Sequence, residues 1–234
     1  MQFQRFANEL HAKGYNVLVP RLPHHGHANR LTNALAYLDI DELKLFAKET
    51  LAIARGFGEQ VTVAGFSLGG LLAAWIAQCE PIERAVTISP SLDLGFVPHV
   101  FSRAVTSAML RLPNFFQWIN PLKREKRPPA HTYPRYSSHA ISHIYLLGQE
   151  LLERARSSAP RAEHITVVTN KHDVTISNAA AAELVKLWRS RRSEAIETYE
   201  FADLPLSHDI IDPLRHSWIT ERVHPKLLEL LQDR

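Results

Sequence analysis

The sequence has little of what marks secreted or membrane-embedded proteins. One cysteine in 234 residues excludes a disulfide within the chain and fits a reducing compartment. No stretch approaches the roughly 18 consecutive apolar residues of a membrane-spanning helix. Residues 1–10 lack the apolar segment of a signal peptide. We therefore expect a soluble, cytoplasmic protein with no transmembrane segment.

A strong net charge is also lacking. Lysine and arginine number 27 and aspartate and glutamate 24, which gives a formal net charge of +3. Much of the excess lies in two basic clusters, at 123–127 and 189–192. Neither cluster is interleaved with aromatic residues in the manner of surfaces that bind single-stranded nucleic acid. We interpret both clusters as solvated surface and predict no nucleic-acid partner.

What the chain does contain is the composition of an ordinary globular domain, with 45% hydrophobic and 22% charged residues. Apolar residues at helical spacing predict helices at 3–13, 39–55, 71–78, 178–188 and 220–231. Runs of strand-forming residues predict strands at 15–19, 61–64, 84–88, 164–169 and 195–201. Because the two types alternate, we predict a single α/β domain over 1–234, with a mostly parallel sheet and helices on both faces.

The stretch at about 91–160 interrupts this alternation. It is punctuated by proline, rich in phenylalanine and tryptophan, and contains no convincing strand. Apolar residues between Phe96 and Leu112 stand at the spacing of an amphipathic helix. We interpret 91–160 as an inserted helical cap, although the same apolar residues also fit an ordinary core.

The stretch Gly65–Gly69 (GFSLG) joins a predicted strand directly to a predicted helix. A sharp strand–helix turn holds the serine hydroxyl of Ser67 in an exposed, strained position, where it acts as a nucleophile. We expect a side chain at Gly65 or Gly69 to collide with the neighbouring strand and helix. The helix start brings the Leu68 backbone N–H to the place where an oxyanion forms. The plainer alternative is a glycine-rich turn with an incidental serine.

A serine nucleophile needs a histidine base and a carboxylate that orients it. In a parallel sheet these groups belong in loops after later strands. Asp173 follows the strand at 164–169 and His208 follows the strand at 195–201. The three candidates therefore come in the order Ser67, Asp173, His208, with separations of 173 − 67 = 106 and 208 − 173 = 35 residues.

Rival assignments exist for two of these roles. Asp93 also follows a strand and is an alternative acid. Asp209 adjoins His208 and is expected to point elsewhere. His172 adjoins Asp173 and is expected to be exposed.

With these motifs the chain resembles the α/β-hydrolase superfamily, and within it the carboxylesterases and monoacylglycerol-lipase-like serine hydrolases. The resembling segments are 14–23 with Gly26, 65–70, 170–175 and 206–209. The resemblance implies a serine hydrolase that cleaves carboxylic esters through an acyl-enzyme on Ser67, without a cofactor or a metal. The aromatic cap suggests a small-molecule ester substrate with an apolar acyl chain of short or medium length. Monoacylglycerols, lactones and thioesters stay open as substrates, since one fold hosts all of them.

The chain departs from the family pattern in the loop His24-His25-Gly26-His27, where His25 replaces a common glycine. Three close histidines raise a metal site as an alternative, but no Asp, Glu or Cys joins them locally. We interpret this loop as part of the rim of the site.

A larger departure lies at the N-terminus. Family members usually begin with about three further strands, the third ending in a His-Gly loop that supplies a second oxyanion N–H. No His-Gly pair precedes Phe3. A truncated reading frame, a rearranged smaller sheet, or a donor recruited from elsewhere would each explain this, and we favour truncation. The alternative function is therefore a non-catalytic or fragmentary protein of this fold that lacks a complete oxyanion hole.

Overall fold

The computed structural model describes residues 2–93, 99–119 and 132–232. Phe96 and Val97 of the predicted cap helix and the basic cluster at 123–127 lie outside these ranges. The helices are α1 (Gln4–Ala12), α2 (Ile40–Arg55), α3 (Leu68–Cys79), α4 (His99–Arg111), α5 (Ser138–Ser157), α6 (Asn178–Arg192) and α7 (Ser217–Gln232). The strands are β1 (Thr62–Phe66), β2 (Arg84–Ile88), β3 (Phe116–Trp118), β4 (Arg135–Ser137), β5 (His164–Asn170) and β6 (Ile196–Phe201). Short 3₁₀ turns lie at Ala34–Tyr37 and Ser193–Ala195.

Four parallel strands form the central sheet, in the order β1-β2-β5-β6. Alternate side chains of a strand point to opposite faces of the sheet. In β2, Ala85 joins the core on one face, whereas Val86 and Ile88 join the core on the other. Every residue of β2 is buried, because helices cover both faces.

The two faces carry unequal layers of helices. On one face α2, α3, α5 and α6 pack into the larger core, which includes Leu43, Leu71, Leu151 and Trp188. On the other face α1 and α7 form the smaller core, in which Phe6 packs with Val223 and Leu227. The predicted parallel sheet with helices on both faces is therefore confirmed.

Local signals in the sequence account for several helix ends. The Asp39 carboxylate accepts a hydrogen bond from the Glu42 backbone N–H at 2.8 Å and caps α2. Ser137 caps α5 and Ser177 caps α6 in the same way. Gly14 follows α1 with φ of 91°, a conformation that glycine adopts without steric cost.

The prediction of a strand at 15–19 is wrong. This segment is extended, but no strand in the described part of the chain pairs with it. Val17 and Val19 are 37% and 53% exposed, although both are strand-forming residues. A β-strand is stable only when a neighbour accepts its backbone hydrogen bonds. β1 pairs with β2 on one side, and no described segment, 15–19 included, pairs with its other side.

The region at 91–160 contains strands that the sequence did not indicate. β3 and β4 pair antiparallel, and three residues each are too few to show a period of two. α4 is a helix, as predicted. α5 belongs to the larger core through Leu147, Leu151 and Leu152. We therefore propose a narrower inserted cap, made of α4, β3 and β4, with α5 as part of the main domain.

In the described ranges, no helix combines the length and the apolar character needed to cross a membrane.

Candidate active site

Ser67 stands at the junction of β1 and α3 in a strained backbone conformation. Its φ is 55° and its ψ is −114°, which costs a residue other than glycine about 1–3 kcal/mol. The Ser67 N–H is held by the Ile88 carbonyl at 2.9 Å. Leu68 follows Ser67 and begins α3, so its N–H has no acceptor within the helix and lies at the positive helix end.

The turn requires glycine at two positions, Gly65 and Gly70. The sequence predicted the first of these but not the second. A Cβ on Gly65 would lie 2.0 Å from the Gly69 carbonyl oxygen, so the turn excludes any side chain there. A Cβ on Gly69 would meet nothing within 4 Å, so the expected collision at Gly69 is wrong. The second crowded position is Gly70, whose Cβ would lie 2.7 Å from the Ile88 carbonyl oxygen. α3 therefore packs on the end of β2 through Gly70.

His208 lies in the loop after β6 and reaches Ser67 directly. Its Nε2 is 2.8 Å from the Ser67 Oγ, which is hydrogen-bond distance. The Phe66 ring packs against the imidazole, with 4.9 Å between the ring centroids. The His208 side chain is 19% exposed, so part of it is accessible to solvent.

Asp173, in the turn after β5, contacts the other nitrogen of the same imidazole. Its Oδ2 is 2.6 Å from the His208 Nδ1, and its side chain is fully buried. Its Oδ1 accepts hydrogen bonds from the backbone N–H groups of Thr175 and Ile176. A carboxylate held in this way accepts the Nδ1–H of His208 and leaves Nε2 free to accept the Ser67 proton. The structure thus brings all three predicted side chains together.

Asn170, the last residue of β5, is a positioning residue that the sequence pattern did not reveal. It is fully buried, and its Nδ2 donates to the carbonyls of Pro205 and Ser207 at 3.0 and 2.7 Å. Its Oδ1 accepts from the His172 N–H. One side chain therefore ties the turn of Asp173 to the loop of His208. The sequence feature that could have identified Asn170 is its amide side chain at the end of a strand of the buried type.

The rival residues are engaged elsewhere. Asp93 accepts a hydrogen bond from Ser102 on α4 and is 1% exposed, so it links the end of β2 to the proposed cap. Asp209 accepts from the Asp212 N–H, and burial, followed by the nearby Asp212 charge, raises the pKa of Asp209. His172 is exposed, as expected, and its Nδ1 lies 2.8 Å from the Leu204 carbonyl oxygen.

The histidines of the loop at 24–27 do not converge on one point. His24 Nε2 lies 2.9 Å from a Glu42 carboxylate oxygen, while His25 Nδ1 lies 2.7 Å from the Pro23 carbonyl. Burial is the main cause that lowers the pKa of His25. The Tyr133 hydroxyl accepts from the His27 N–H and donates to the His24 carbonyl. These contacts fix the loop against the segment that precedes β4.

Across the described residues, the group of side chains whose atoms lie close enough to share a metal ion is Glu83, Glu163 and His164. It lies at the amino ends of β2 and β5, whereas Ser67 lies at the carboxyl end of β1. This group is therefore separate from the Ser67 site.

Sequence and structure comparisons agree with this architecture. The chain matches the Alpha/beta hydrolase family over residues 2–223 and therefore belongs to that family. No curated protein sequence matches it at a significant level.

Solved structures of similar fold include lipases and carboxylesterases. A monoacylglycerol lipase from Paleococcus ferrophilus has a TM-score of 0.71 at 19% identity, covering 98% of this chain and 88% of that one. A soluble variant of monoglyceride lipase from Saccharomyces cerevisiae has a TM-score of 0.65 at 12% identity, covering 89% and 75%. A structure from a study of Nitrososphaera gargenis carboxylesterases has a TM-score of 0.59 at 15% identity, covering 100% and 87%. At these identities the likeness shows a common fold.

Proposed function

We propose that this protein is a serine hydrolase that cleaves small-molecule carboxylic esters through an acyl-enzyme on Ser67. The observation that carries the proposal is the continuous chain of hydrogen bonds from Asp173 through His208 to Ser67, with distances of 2.6 and 2.8 Å. A buried carboxylate, an imidazole and a serine on a strained turn together form the arrangement that acyl transfer requires.

Acylation begins when Ser67 Oγ attacks the ester carbonyl carbon and its proton passes to His208 Nε2. Asp173 stabilises the imidazolium that results, because its carboxylate accepts the Nδ1–H. The carbonyl oxygen becomes an oxyanion that accepts a hydrogen bond from the Leu68 N–H. Collapse breaks the bond to the alcohol, which leaves with the proton from His208.

Deacylation repeats these steps with water. His208 removes a proton from a water molecule, which attacks the acyl carbon, and the carboxylic acid leaves as the proton returns to Ser67. No cofactor or metal takes part in these steps. We further propose that the substrates are esters of short or medium acyl chains or monoacylglycerols, a substrate class in keeping with the named lipases and esterases of similar fold.

The test is hydrolysis of p-nitrophenyl esters from acetate to palmitate, with and without EDTA. We expect turnover that peaks at short or medium chains, is unaffected by EDTA, and disappears in Ser67→Ala. Unchanged hydrolysis by Ser67→Ala in a folded preparation would refute the proposal.

A non-catalytic protein of the same fold is the second candidate. Two observations favour it: the segment at 15–19 pairs with no described strand, and β1 lies at the edge of the described sheet. This candidate predicts a folded protein with a cooperative thermal transition that hydrolyses none of the esters.

A further inference from the structure

Ser91 contacts the nucleophile with both its backbone and its side chain. The Ser91 Oγ lies 3.0 Å from the Ser67 Oγ, and the Ser91 N–H donates to the Ser67 carbonyl at 3.1 Å. Ser91 is 8% exposed and belongs to the loop that follows β2. Among the described residues, both His208 and Ser91 lie within hydrogen-bond distance of the Ser67 oxygen.

The direction of the hydrogen bond between the two serines follows from counting protons. His208 Nδ1–H donates to the Asp173 carboxylate, so Nε2 is the acceptor for the one hydroxyl proton of Ser67. Ser67 Oγ then has no proton left for Ser91. The Ser91 hydroxyl must donate to the Ser67 Oγ.

The loop after β2 is built to hold Ser91 at this position. Ser89 has a φ of 43°, a strained value for serine, and its N–H is held by the Val168 carbonyl at 2.8 Å. A Cβ on Gly70 would lie 3.2 Å from the Pro90 Cα, so glycine there admits the close approach of this loop to α3. The sharp turn at Ser89–Pro90 thus directs the Ser91 hydroxyl onto Ser67.

We propose that Ser91 is a further catalytic residue, whose hydroxyl donates a hydrogen bond to the reacting oxygen of Ser67. This inference rests on the proposed acyl-enzyme route. In the resting enzyme the bond fixes the Ser67 hydroxyl in line with His208 Nε2.

The same bond matters most in deacylation. As the acyl carbon–oxygen bond breaks, negative charge develops on the Ser67 Oγ before His208 Nε2–H returns the proton. A hydrogen bond donated to an oxygen that gains charge is stronger in the transition state than in the acyl-enzyme. Ser91 therefore assists the departure of Ser67 from the acyl group, and its loss slows this step.

The experiment compares wild type with Ser91→Ala and Ser91→Cys, with Ser89→Ala as the matched control. Ser89 lies in the same loop, and its hydroxyl has no hydrogen-bond partner among the described residues. Each variant is assayed by stopped-flow hydrolysis of p-nitrophenyl butyrate, which separates the acylation burst from steady-state deacylation. Thermal unfolding checks that each variant is folded.

We expect Ser91→Ala to lower kcat about tenfold, equivalent to about 1.4 kcal/mol. KM should fall in proportion and kcat/KM should stay within about twofold, because slower deacylation leaves acylation unchanged. A larger burst relative to the steady rate should accompany this loss. Ser91→Cys keeps a side chain of similar size and a weak hydrogen-bond donor, so its kcat should lie between those of Ser91→Ala and wild type. If Ser91→Ala does not fold, the Ser91→Cys variant provides the test. Ser89→Ala should remain within about twofold of wild type.

Unchanged kcat and burst in the Ser91 variants would overturn the role of Ser91 while the acyl-enzyme route stands. An equal loss in Ser89→Ala would also overturn it, because the effect would then come from packing of the loop. A wild-type protein without any burst or turnover would instead refute the proposed function, and the role of Ser91 with it.

Discussion

Replacing Asp173 by asparagine tests the hydrogen-bond chain at its buried end. The side chains have nearly the same shape, and the asparagine Oδ1 still accepts from the Thr175 and Ile176 N–H groups. The group that faces His208 Nδ1 at 2.6 Å changes from an acceptor to an NH₂ donor. His208 must then accept at Nδ1 and carry its proton on Nε2. In this tautomer it cannot take the proton of Ser67.

The expected loss is large because the Asp173 side chain is fully buried and water does not replace it. In a studied serine protease the corresponding change lowers kcat about 10⁴-fold, which is about 5.4 kcal/mol of transition-state stabilisation. We expect a loss of 10³–10⁴-fold in kcat/KM here. KM should change little, since Asp173 touches the imidazole and not the ester.

The matched control is Asp209→Asn, which makes the same chemical change on the residue next to His208. Asp209 accepts from the Asp212 N–H and lies 3.4 Å from the Arg215 Nε, so it does not orient the imidazole. We expect its kcat/KM to stay within about fivefold of wild type. The assay is hydrolysis of p-nitrophenyl butyrate at pH 7.5. Asp173→Asn retaining more than a tenth of wild-type activity, or Asp209→Asn falling as far, would refute the reasoning.

Three further changes test other parts of the structure. Gly65→Ala should prevent folding or lower Tm strongly, because its Cβ would lie 2.0 Å from a carbonyl oxygen, whereas Gly69→Ala has open space and should preserve Tm or raise it; thermal unfolding decides this. Asn170→Ala should cost about 1–3 kcal/mol of folding free energy and also lower kcat, measured by urea unfolding and ester hydrolysis; activity at the wild-type level would contradict its positioning role. Burial lowers the pKa of His224 below the ordinary value of 6.5. As the pH falls, the histidine is therefore protonated at a higher pH in the unfolded state than in the folded state, so stability falls as pH drops below 6.5. His224→Gln should reduce the fall in Tm between pH 7 and 5, and exposed His11→Gln should not; equal slopes in both would contradict this.

The alternation of helices and strands could be predicted because periodicity is a local property of the sequence. β2 and β5 are rich in the strand-forming residues valine, isoleucine and threonine, and they are the central strands of the sheet. The segment at 15–19 has the same strand-forming composition, but whether such a segment becomes a strand depends on a neighbour with free hydrogen-bonding groups. Whether such a neighbour exists depends on the tertiary structure, so the prediction of a strand at 15–19 from composition alone was wrong.

The candidate site was also predicted only in part. Ser67, Asp173 and His208 could be found because each follows a strand, and strand ends at one edge of a sheet lie close together. Asn170 and Ser91 escaped notice because their roles depend on contacts with loops more than 20 residues away in sequence. Gly70 was missed because the backbone that crowds it belongs mostly to Ile88 and Pro90, which lie outside its own strand–helix turn.

The central claim is that Ser67 is the nucleophile, and labelling with a fluorophosphonate probe tests it most directly. Trypsin releases residues 56–84, in which Ser67 is the only serine, separately from residues 85–103, which carry Ser89, Ser91 and Ser102. We expect one probe per protein molecule, located at Ser67 by mass spectrometry and lost in Ser67→Ala. A folded protein that takes up no probe, or takes it up on the 85–103 peptide, would contradict the claim.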